Sequence, residues 1–347
     1  MNRSTVYPTT TTHNISAYRI SILFSSFTIL LLSLFFLAGC DNSSKPSSKK
    51  IVVGISQIID HDALDQVRES ALKTLEKHGY LQDRNLKIVY LNAQGNLSSN
   101  IQIAQRLVSM QPDVILAIST PSAQALQPLA AAQNIPVVFA AVTDSVNAHL
   151  TSNRQIPDKG MTGVEDRPSI EQQLSLIKNL VPNIKKLGVL YNPGESNSTI
   201  MVNELKILAQ NQSIALIEGA ISKPADLSLV FLKLVDGVDA LYVPLDNTIV
   251  ALMPQLSALS IQKGLPLIAA DSGSVKQGAL ATHGFSYQDC GHEAGLYMIE
   301  LIKGKKVKDL PIKTPENQGI YINNKTALAL HKNMDLKELG IIKEIIE

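Results

Sequence analysis

From residue 51 onward, short apolar runs alternate with segments whose apolar residues recur at helical spacing. The runs IVVGI (51–55), DVILAI (113–118) and PVVFAA (136–141) are apolar at nearly every position instead of every second one. This pattern is typical of strands buried on both faces, as in parallel sheets covered by helices. The pattern restarts near residue 169, with strands predicted at 187–191, 213–218, 239–244, 266–270 and 278–284 and helices between them. The sequence therefore predicts an α/β fold of two Rossmann-like lobes with parallel sheets.

The end of the chain and an internal echo complete this prediction. A long helix is expected at 288–303, a strand at 318–323 and a short helical tail after it. The segment Asp113–Thr120 resembles Asp239–Thr248, and in both halves a helix and another apolar strand follow. Duplication of one half would explain this echo, and so would the packing common to α/β proteins. Both explanations stay open at the level of the sequence.

The first 40 residues have a different pattern. Residues 20–37 carry no charge and are long enough to cross a bilayer, so one interpretation is a retained membrane anchor. The run ends in Leu37-Ala38-Gly39-Cys40, small residues that lead into a cysteine, as in secretory signals. This end resembles the lipobox of bacterial lipoproteins, whose cysteine receives acyl chains such as palmitate and becomes the first residue. We therefore expect a signal peptide over residues 1–39 and lipidation of Cys40.

Residues 40–50 are expected to form the lipidated end and a flexible tether, because DNSSKPSSKK is polar and rich in Ser and Lys. Two or more acyl chains anchor a protein stably in a membrane. Asp41 resembles the signal that keeps lipoproteins of Gram-negative bacteria on the inner membrane. The expected location is the cell envelope, outside the cytoplasm, on the periplasmic face of the inner membrane if the cell is Gram-negative.

Composition and missing motifs exclude several classes of protein. The 31 Lys+Arg and 30 Asp+Glu give a net charge of +1, so no basic field for nucleic acid exists. The two cysteines, Cys40 and Cys290, rule out a disulfide framework and a Cys-rich zinc site. We expect Cys290 to be a small buried apolar residue. The sequence has no phosphate-binding loop and no HExxH or GxSxG motif, so we predict neither an enzyme nor a cofactor nor a metal site.

Ligands of open parallel sheets bind beyond the carboxyl ends of the strands, so residues at these ends are the candidates for a site. They are Gln57, Thr120, Ser122, Ala123, Phe139, Asp144, Glu195, Asn197, Ser198, Asp246, Asn247 and Asp271. Taken singly, most of them are equally typical of turns and helix caps. Thr120 before Pro121 favours a helix start, with free N–H groups at Ser122 and Ala123 that would face an anion. His61 has no partner at ligand spacing, and we interpret it as structural.

Much of the folded part resembles one known family, the ABC-transporter substrate-binding lipoproteins of the tryptophan/tyrosine type. The resemblance is carried, in this order, by IVVGISQIIDHDALDQVRESALKTLEKHGY (51–80), PDVILAISTPSAQAL (112–126), IPVVFAAVTDSV (135–146), MTGVED (161–166), NPGESNS (192–198), VDALYVPLDNTIV (238–250) and DSGSVKQGAL (271–280). It spans about residues 51–320. It implies a type I periplasmic-binding-protein fold with three crossovers between the lobes, near residues 163, 284 and 318. Lobe 1 would comprise residues 51–163 and 284–318, and lobe 2 would comprise residues 164–283 and 319–347.

The resemblance also implies a ligand and partners. The ligand would be a small amino acid, with an aromatic one favoured, enclosed by hinge closure and passed to an ABC permease and its ATPase. The resemblance assigns the ligand carboxylate to Thr120, Ser122 and Ala123. It assigns the α-ammonium group to Asp246, Asn247 and Asp271. Further contacts are expected from the turn that carries Glu195, Asn197 and Ser198.

Two features qualify this assignment. Family members often have Asp-Pro where this chain has Asp144-Ser145, so the geometry of that loop is expected to differ. The aromatic residues available to stack on a ligand are Phe139, Tyr191, Tyr242, Phe285 and Tyr287.

The alternative function is a ligand-sensing lipoprotein of the same fold that signals to a membrane partner. A hydrolase would require a nucleophile and a base within hydrogen-bond reach across the cleft.

Overall fold

Two β-sheets, each covered by helices on both faces, form two lobes. The computed structural model describes residues 50–315, 318–331 and 339–347. The predicted signal peptide, Cys40 and nearly all of the tether lie outside these residues. Among the helices of the described ranges, none is long and apolar enough to cross a membrane.

The sheet of lobe 1 has the strand order β2-β1-β3-β4-β5, and all its pairs are parallel. Its strands are β1 (Ile51–Gln57), β2 (Leu86–Asn92), β3 (Val114–Ile118), β4 (Val137–Val142) and β5 (Met161–Glu165), and its helices are α1 (Asp62–Lys77), α2 (Leu97–Ser109) and α3 (Thr120–Ala132). Alternate residues of β3 enter two different cores. Leu116 packs in the core that includes α1, and Ile115 packs in the core that includes α2 and α3. The strand must be apolar throughout because both of its faces are buried.

The sheet of lobe 2 has the order β12-β11-β10-β9-β8-β6-β7. Its strands are β6 (Lys186–Tyr191), β7 (Ala215–Ala220), β8 (Ala240–Val243), β9 (Leu267–Ala269), β10 (Ala281–Gly284), β11 (Gly319–Asn323) and β12 (Ile342–Ile346). The remaining helices are α4 (Ile170–Leu180), α5 (Ser196–Asn211), α6 (Leu227–Val235), α7 (Asn247–Val250), α8 (Met253–Gln262), α9 (Ser272–Lys276), α10 (Tyr287–Ile302) and α11 (Asn324–Ala329). The α/β fold with two lobes and mainly parallel sheets is thus confirmed.

Two details differ from the expectation. The pair β10–β11 is antiparallel, because the chain returns to the sheet edge from lobe 1 instead of through a crossover helix of lobe 2. Within the described part of the tail, residues 324–329 form α11, and β12 pairs in parallel with β11. Helical spacing is a weak signal over five residues, and the free edge of β11 offers backbone partners that a helix would not use.

The chain passes between the lobes at three places. Residues 166–169 join β5 to α4, and residues 285–286 join β10 to α10, which packs on α1 of lobe 1. Near Lys313 the chain pairs with Val164 at the edge of lobe 1 before it enters lobe 2 at β11. The carboxyl ends of strands from both sheets therefore border a cleft between the lobes.

Candidate functional site

A small cavity lies between the two lobes, at the carboxyl ends of their strands. Its polar lining from lobe 1 and the crossovers consists of His61, Thr143, Asp166 and Tyr287. Its polar lining from lobe 2 consists of Asn197, Asp246, Asn247 and Asp271. The cavity volume is about 20 Å³, which is room for a single water molecule. An amino acid would therefore enter only if the lobes or their side chains move apart.

Three buried polar atoms at this cavity have no hydrogen-bond partner among the described residues. They are His61 Nδ1, Asp166 Oδ1 and Asn197 Oδ1. A buried polar atom left unpaired costs about 1–3 kcal/mol, so such atoms are rare in folded proteins and their clustering is informative. The two oxygens are acceptors, and a ligand that supplies hydrogen-bond donors would satisfy both of them.

Asp166 follows β5 directly, in the first crossover. The phenol of Tyr287, the first residue of α10, donates a hydrogen bond of 3.0 Å to Asp166 Oδ2. Burial raises the pKa of Asp166 to about 7, and the nearby charge of Glu165 acts in the same direction. Asp166 is not among the candidates predicted from the sequence, although it ends the segment MTGVED that carries part of the resemblance. Its position one residue after a predicted strand was the available signal.

Asp246 and Asp271, the predicted ammonium partners, both line the cavity and both cap short helices. Asp246 Oδ1 accepts from Ile249 N at 2.9 Å at the start of α7, and its Oδ2 accepts from Asn192 N at 2.6 Å. Asp271 Oδ1 accepts from Ser274 N at 2.7 Å at the start of α9. Burial raises the pKa of both carboxyl groups. Among the described residues, three carboxyl groups and no Lys or Arg line the cavity, so a cationic group would find complementary charge there.

His61, interpreted from the sequence as structural, forms a polar contact between the lobes. It stands before α1 in an extended conformation, and its Nε2 lies 3.5 Å from Asn247 Oδ1 of lobe 2. Burial lowers its pKa against the opposing charge of Asp271, which favours a neutral ring. A single histidine carries no spacing signal, so only the packing of the lobes places it in the cleft.

Glu195 organises the lobe 2 wall but has no free acceptor to offer. Its two carboxylate oxygens accept from the backbone N–H and side chains of Asn247 and Thr248 and from the side chain of Asn197. Ser198 donates to the carbonyl oxygens of Asn192 and Glu195 and holds the turn. The three predicted residues of this turn thus lie together, and only Asn197 lines the cavity.

The start of α3 differs from the expectation. Ser119, not Thr120, occupies the N-cap position, and its φ of +91° is rare for a residue with a side chain. Because the helix begins one residue early, the Ala123 N–H is not free and donates to Ser119 O at 3.1 Å. Thr120, Ser122 and Ala123 are buried, and none of them lines the cavity. Thr120 Oγ1 is a further buried polar atom without a partner.

Three other predicted residues lie away from the cavity. The amide of Gln57 bonds to Asp65 and Arg68 and fixes the loop between β1 and α1. Phe139 is fully buried between the sheet of lobe 1 and α3, because it alternates on β4 with the residues of the other face. Asp144 pairs with Arg154, at 2.6 Å, and with Arg167.

Of the five aromatic candidates for stacking, Tyr287 is the one that lines the cavity. Its ring lies 5.4 Å from that of Phe285, centroid to centroid. Tyr242 donates to Gln173 inside lobe 2, and Tyr191 donates to Glu218 at 2.7 Å on its surface. The apolar part of the cavity wall is formed by Ala63, Leu64, Ala141, Leu245 and Val250.

Two further observations concern chemistry outside this cavity. Cys290 is fully buried in the core that α10 shares with α1, and burial raises the pKa of its thiol. In the part of the chain that the structure describes, no group of three or more His, Cys, Asp or Glu could hold a metal ion.

Comparison with known proteins identifies the family. Residues 52–338 match the family described as ABC transporter substrate binding protein. The chain belongs to this family. The family consists of solute-binding proteins and not of enzymes, and its members act outside the cytoplasm with an ABC permease. The fold, with its three passages between two α/β lobes, is the type I periplasmic-binding-protein fold.

The relatives of this substrate-binding protein include one named for its ligand. A protein described as tyrosine-binding from Clostridioides difficile (strain R20291) is 38% identical over 310 residues, which cover 86% of this chain and 89% of that protein. An ABC domain from Streptococcus pneumoniae, solved in complex with L-Trp, is 29% identical with a TM-score of 0.81, and the match covers 86% of this chain and all of that one.

A third relative bears on the arrangement of the lobes. The ligand-free, open structure of a substrate-binding protein from Clostridium difficile is 34% identical over 85% of this chain and 99% of that one, but its TM-score is only 0.62. The more similar sequence thus gives the poorer superposition. The whole chain superimposes better on the L-Trp complex than on the ligand-free, open structure.

Proposed function

We propose that this protein is the substrate-binding lipoprotein of an ABC importer and captures a small amino acid, preferably an aromatic one, between its lobes. The observation that carries the proposal is the cavity between the lobes, where Asp166, Asp246 and Asp271 are buried without any Lys or Arg among the described lining residues. The α-ammonium group of an amino acid supplies the positive charge and the hydrogen-bond donors that this wall lacks.

Binding proceeds by hinge closure. A cavity of about 20 Å³ cannot admit an amino acid, so the lobes separate for entry and close around the ligand. The names of the relatives, one tyrosine-binding and one solved with L-Trp, support an aromatic amino acid. Tyr287 at the cavity offers one ring for stacking.

The closed complex passes its ligand to a permease powered by a cytoplasmic ATPase. Acylation of Cys40 holds the protein on the outer face of the cytoplasmic membrane. Residues 41–50 form a flexible tether between the anchor and the folded lobes. The lipobox-like end of the apolar segment supports this anchor. Cys40→Ser should abolish labelling by radioactive palmitate. Labelling that persists in this variant would contradict the assignment of Cys40.

The ligand is tested by isothermal titration of the full-length protein in detergent, freed of bound ligand by unfolding and refolding. The titrants are the twenty amino acids, one at a time. We expect a dissociation constant of about 1 µM or below for an aromatic amino acid, which corresponds to about 8 kcal/mol of binding free energy. If a folded sample shows no heat of binding with any of the twenty amino acids, amino-acid capture is overturned, while the family assignment stays intact.

A further inference from the structure

We propose that Asp166 binds the ammonium group of the ligand and, through Tyr287, ties the ligand to two of the crossovers between the lobes. This inference rests on the proposed capture of an amino acid. It differs from the expectation drawn from the sequence, which assigned the ammonium group to Asp246 and Asp271.

Among the described carboxylates at the cavity, Asp166 has an oxygen, Oδ1, without a hydrogen-bond partner at normal distance, although the nearby Thr143 hydroxyl lowers the pKa of the group. Asp246 uses both oxygens to accept backbone N–H groups, and Asp271 uses both for the backbone and hydroxyl of Ser274. Asp166 Oδ1, in contrast, is buried at the cavity and has no partner. An ammonium donor therefore gains most at Asp166, because this buried oxygen accepts no hydrogen bond from the described residues.

The position of Asp166 connects the site to the hinge. Asp166 lies in the crossover 166–169, and Tyr287 begins α10 directly after the crossover 285–286. The hydrogen bond of 3.0 Å between Tyr287 OH and Asp166 Oδ2 joins these two crossovers over 121 residues of sequence. A ligand bound to Asp166 thus contacts the segments about which the lobes turn, and it contacts lobe 2 through the opposite wall of the cavity.

This arrangement predicts that ligand affinity depends on pH. The groups that face Asp166 are Tyr287 from α10 and Thr143 from the end of β4, and His61, Asp246 and Asp271 line the same cavity. The charge of Glu165, on the opposite side of the strand end, also acts on Asp166. Burial raises the pKa of Asp166 to about 7 in the absence of a cation. A cationic ligand selects the ionised carboxylate, so below pH 7 binding must release a proton. The dissociation constant should then rise about tenfold for each pH unit below the pKa.

The experiment measures the dissociation constant of L-tyrosine between pH 5.5 and 8.5 for the full-length protein, for Asp166→Asn and for Glu171→Gln. Glu171 is the matched control, since it is an exposed acid at the start of α4, just after the same crossover. We expect Asp166→Asn to bind L-tyrosine at least thirtyfold more weakly at pH 8 and to show a weaker pH dependence below pH 7 than the unchanged protein. Glu171→Gln should follow the unchanged protein throughout.

A second ligand shows whether the effect acts on the ammonium group. The compound 3-(4-hydroxyphenyl)propanoate is L-tyrosine without its amino group. The preference for L-tyrosine over this compound should fall at least tenfold in Asp166→Asn, because the variant lacks the charge that recognises the difference. A loss of affinity that is equal for both ligands would overturn the proposal, since Asp166 would then only shape the cavity.

A third variant keeps the test valid if Asp166→Asn fails to fold. Tyr287→Phe keeps the ring and removes the donor to Asp166, so ionisation becomes harder and the pH midpoint of binding should move upward. An unchanged midpoint would overturn the proposal. If the unchanged protein binds L-tyrosine and Asp166→Asn does so with the same affinity and pH profile, Asp166 is not the ammonium partner. If the unchanged protein binds none of the twenty amino acids, the proposed function fails instead.

Discussion

Two groups of buried carboxylates meet at the end of β5, and they differ in the charges they face. Glu165 points to a paired cluster, in which Asp144 and Glu165 accept from Arg154 and Asp144 also pairs with Arg167. Asp166, the next residue, points to the cavity and belongs to a cleft cluster with Asp246 and Asp271. Neighbouring residues of an extended chain point in opposite directions, so one strand end serves both clusters.

The pKa values of the two clusters move in opposite directions. Burial alone would raise the pKa of Asp144, but hydrogen bonds from Asn147 and the charges of Arg154 and Arg167 outweigh it and hold the pKa below its ordinary value. Burial raises the pKa of Asp166, Asp246 and Asp271, and no arginine is among the described residues that line their cavity. The paired cluster is therefore complete within the chain, and the cleft cluster is suited to a cation that arrives from outside.

The largest expected effect is on the ligand-free stability of Asp166→Asn. The pKa of Asp166 rises from 3.8 to about 7 on folding, so the folded state holds more protons than the unfolded state between these values. Stability should therefore fall as the pH rises from about 4 to 7 and then level off, by at most about 4 kcal/mol. Urea unfolding without ligand should find Asp166→Asn more stable than the unchanged protein at pH 8 and nearly equal at pH 4.5. Equal pH slopes for both proteins would remove the distinction between the clusters.

The opposite effect is expected for Arg154→Met. This change leaves Asp144 and Glu165, both 3% exposed, with less compensation. We expect a loss of about 2–4 kcal/mol in the free energy of unfolding at pH 7, below the upper range for buried pairs because Arg154 is 39% exposed. The contribution of Asp144 is present above its unfolded pKa and is lost as the pH falls through its lowered folded value. The loss caused by Arg154→Met should therefore shrink below about pH 4. A loss that is independent of pH would indicate that Arg154 acts through packing alone.

A smaller effect is expected where the paired cluster reaches lobe 2. Arg167, in the first crossover, pairs with Asp144 of lobe 1 and with Glu204 on α5 of lobe 2. Glu204→Gln removes this link in the observed arrangement of the lobes, so it should weaken ligand affinity by about two- to fivefold with little change in unfolding free energy. Titration with L-tyrosine at low and high salt measures this. If the loss of affinity in Glu204→Gln is as large at high salt as at low salt, the link between Arg167 and Glu204 does not act through charge.

The smallest effect is expected at the surface. Lys206 lies on the same helix as Glu204 and pairs with Glu218 at 3.0 Å, but it is 61% exposed. Lys206→Met should change the free energy of unfolding by less than about 0.5 kcal/mol and leave ligand affinity unchanged. Urea unfolding and the same titration check both points. A larger change would show that exposure does not separate the two kinds of pair in this protein.

The sequence by itself determined the two α/β lobes, most strands and helices, and the family. Runs such as 113–118 and 136–141 are apolar throughout because both faces of their strands are buried, and that information is local. Asn197, Asp246, Asn247 and Asp271, which the sequence singled out because each follows a predicted strand, line the cavity. The roles of these residues in binding stay predictions.

Only the tertiary structure decided which strand-end side chains line the cavity. Side chains alternate between the two faces of β4, and Phe139 lies on the face that packs in the core of lobe 1 with α3. Helix α3 begins one residue earlier than predicted, so Ala123 also points into that core. Ala141, with a φ of +54° at an irregular step in the pairing of β4, instead lines the cavity. His61 and Asp166 were missed because their partners, Asn247 and Tyr287, are 186 and 121 residues away in the chain. Contacts over such distances exist only after the lobes have packed, and no local pattern of apolar and polar residues encodes them.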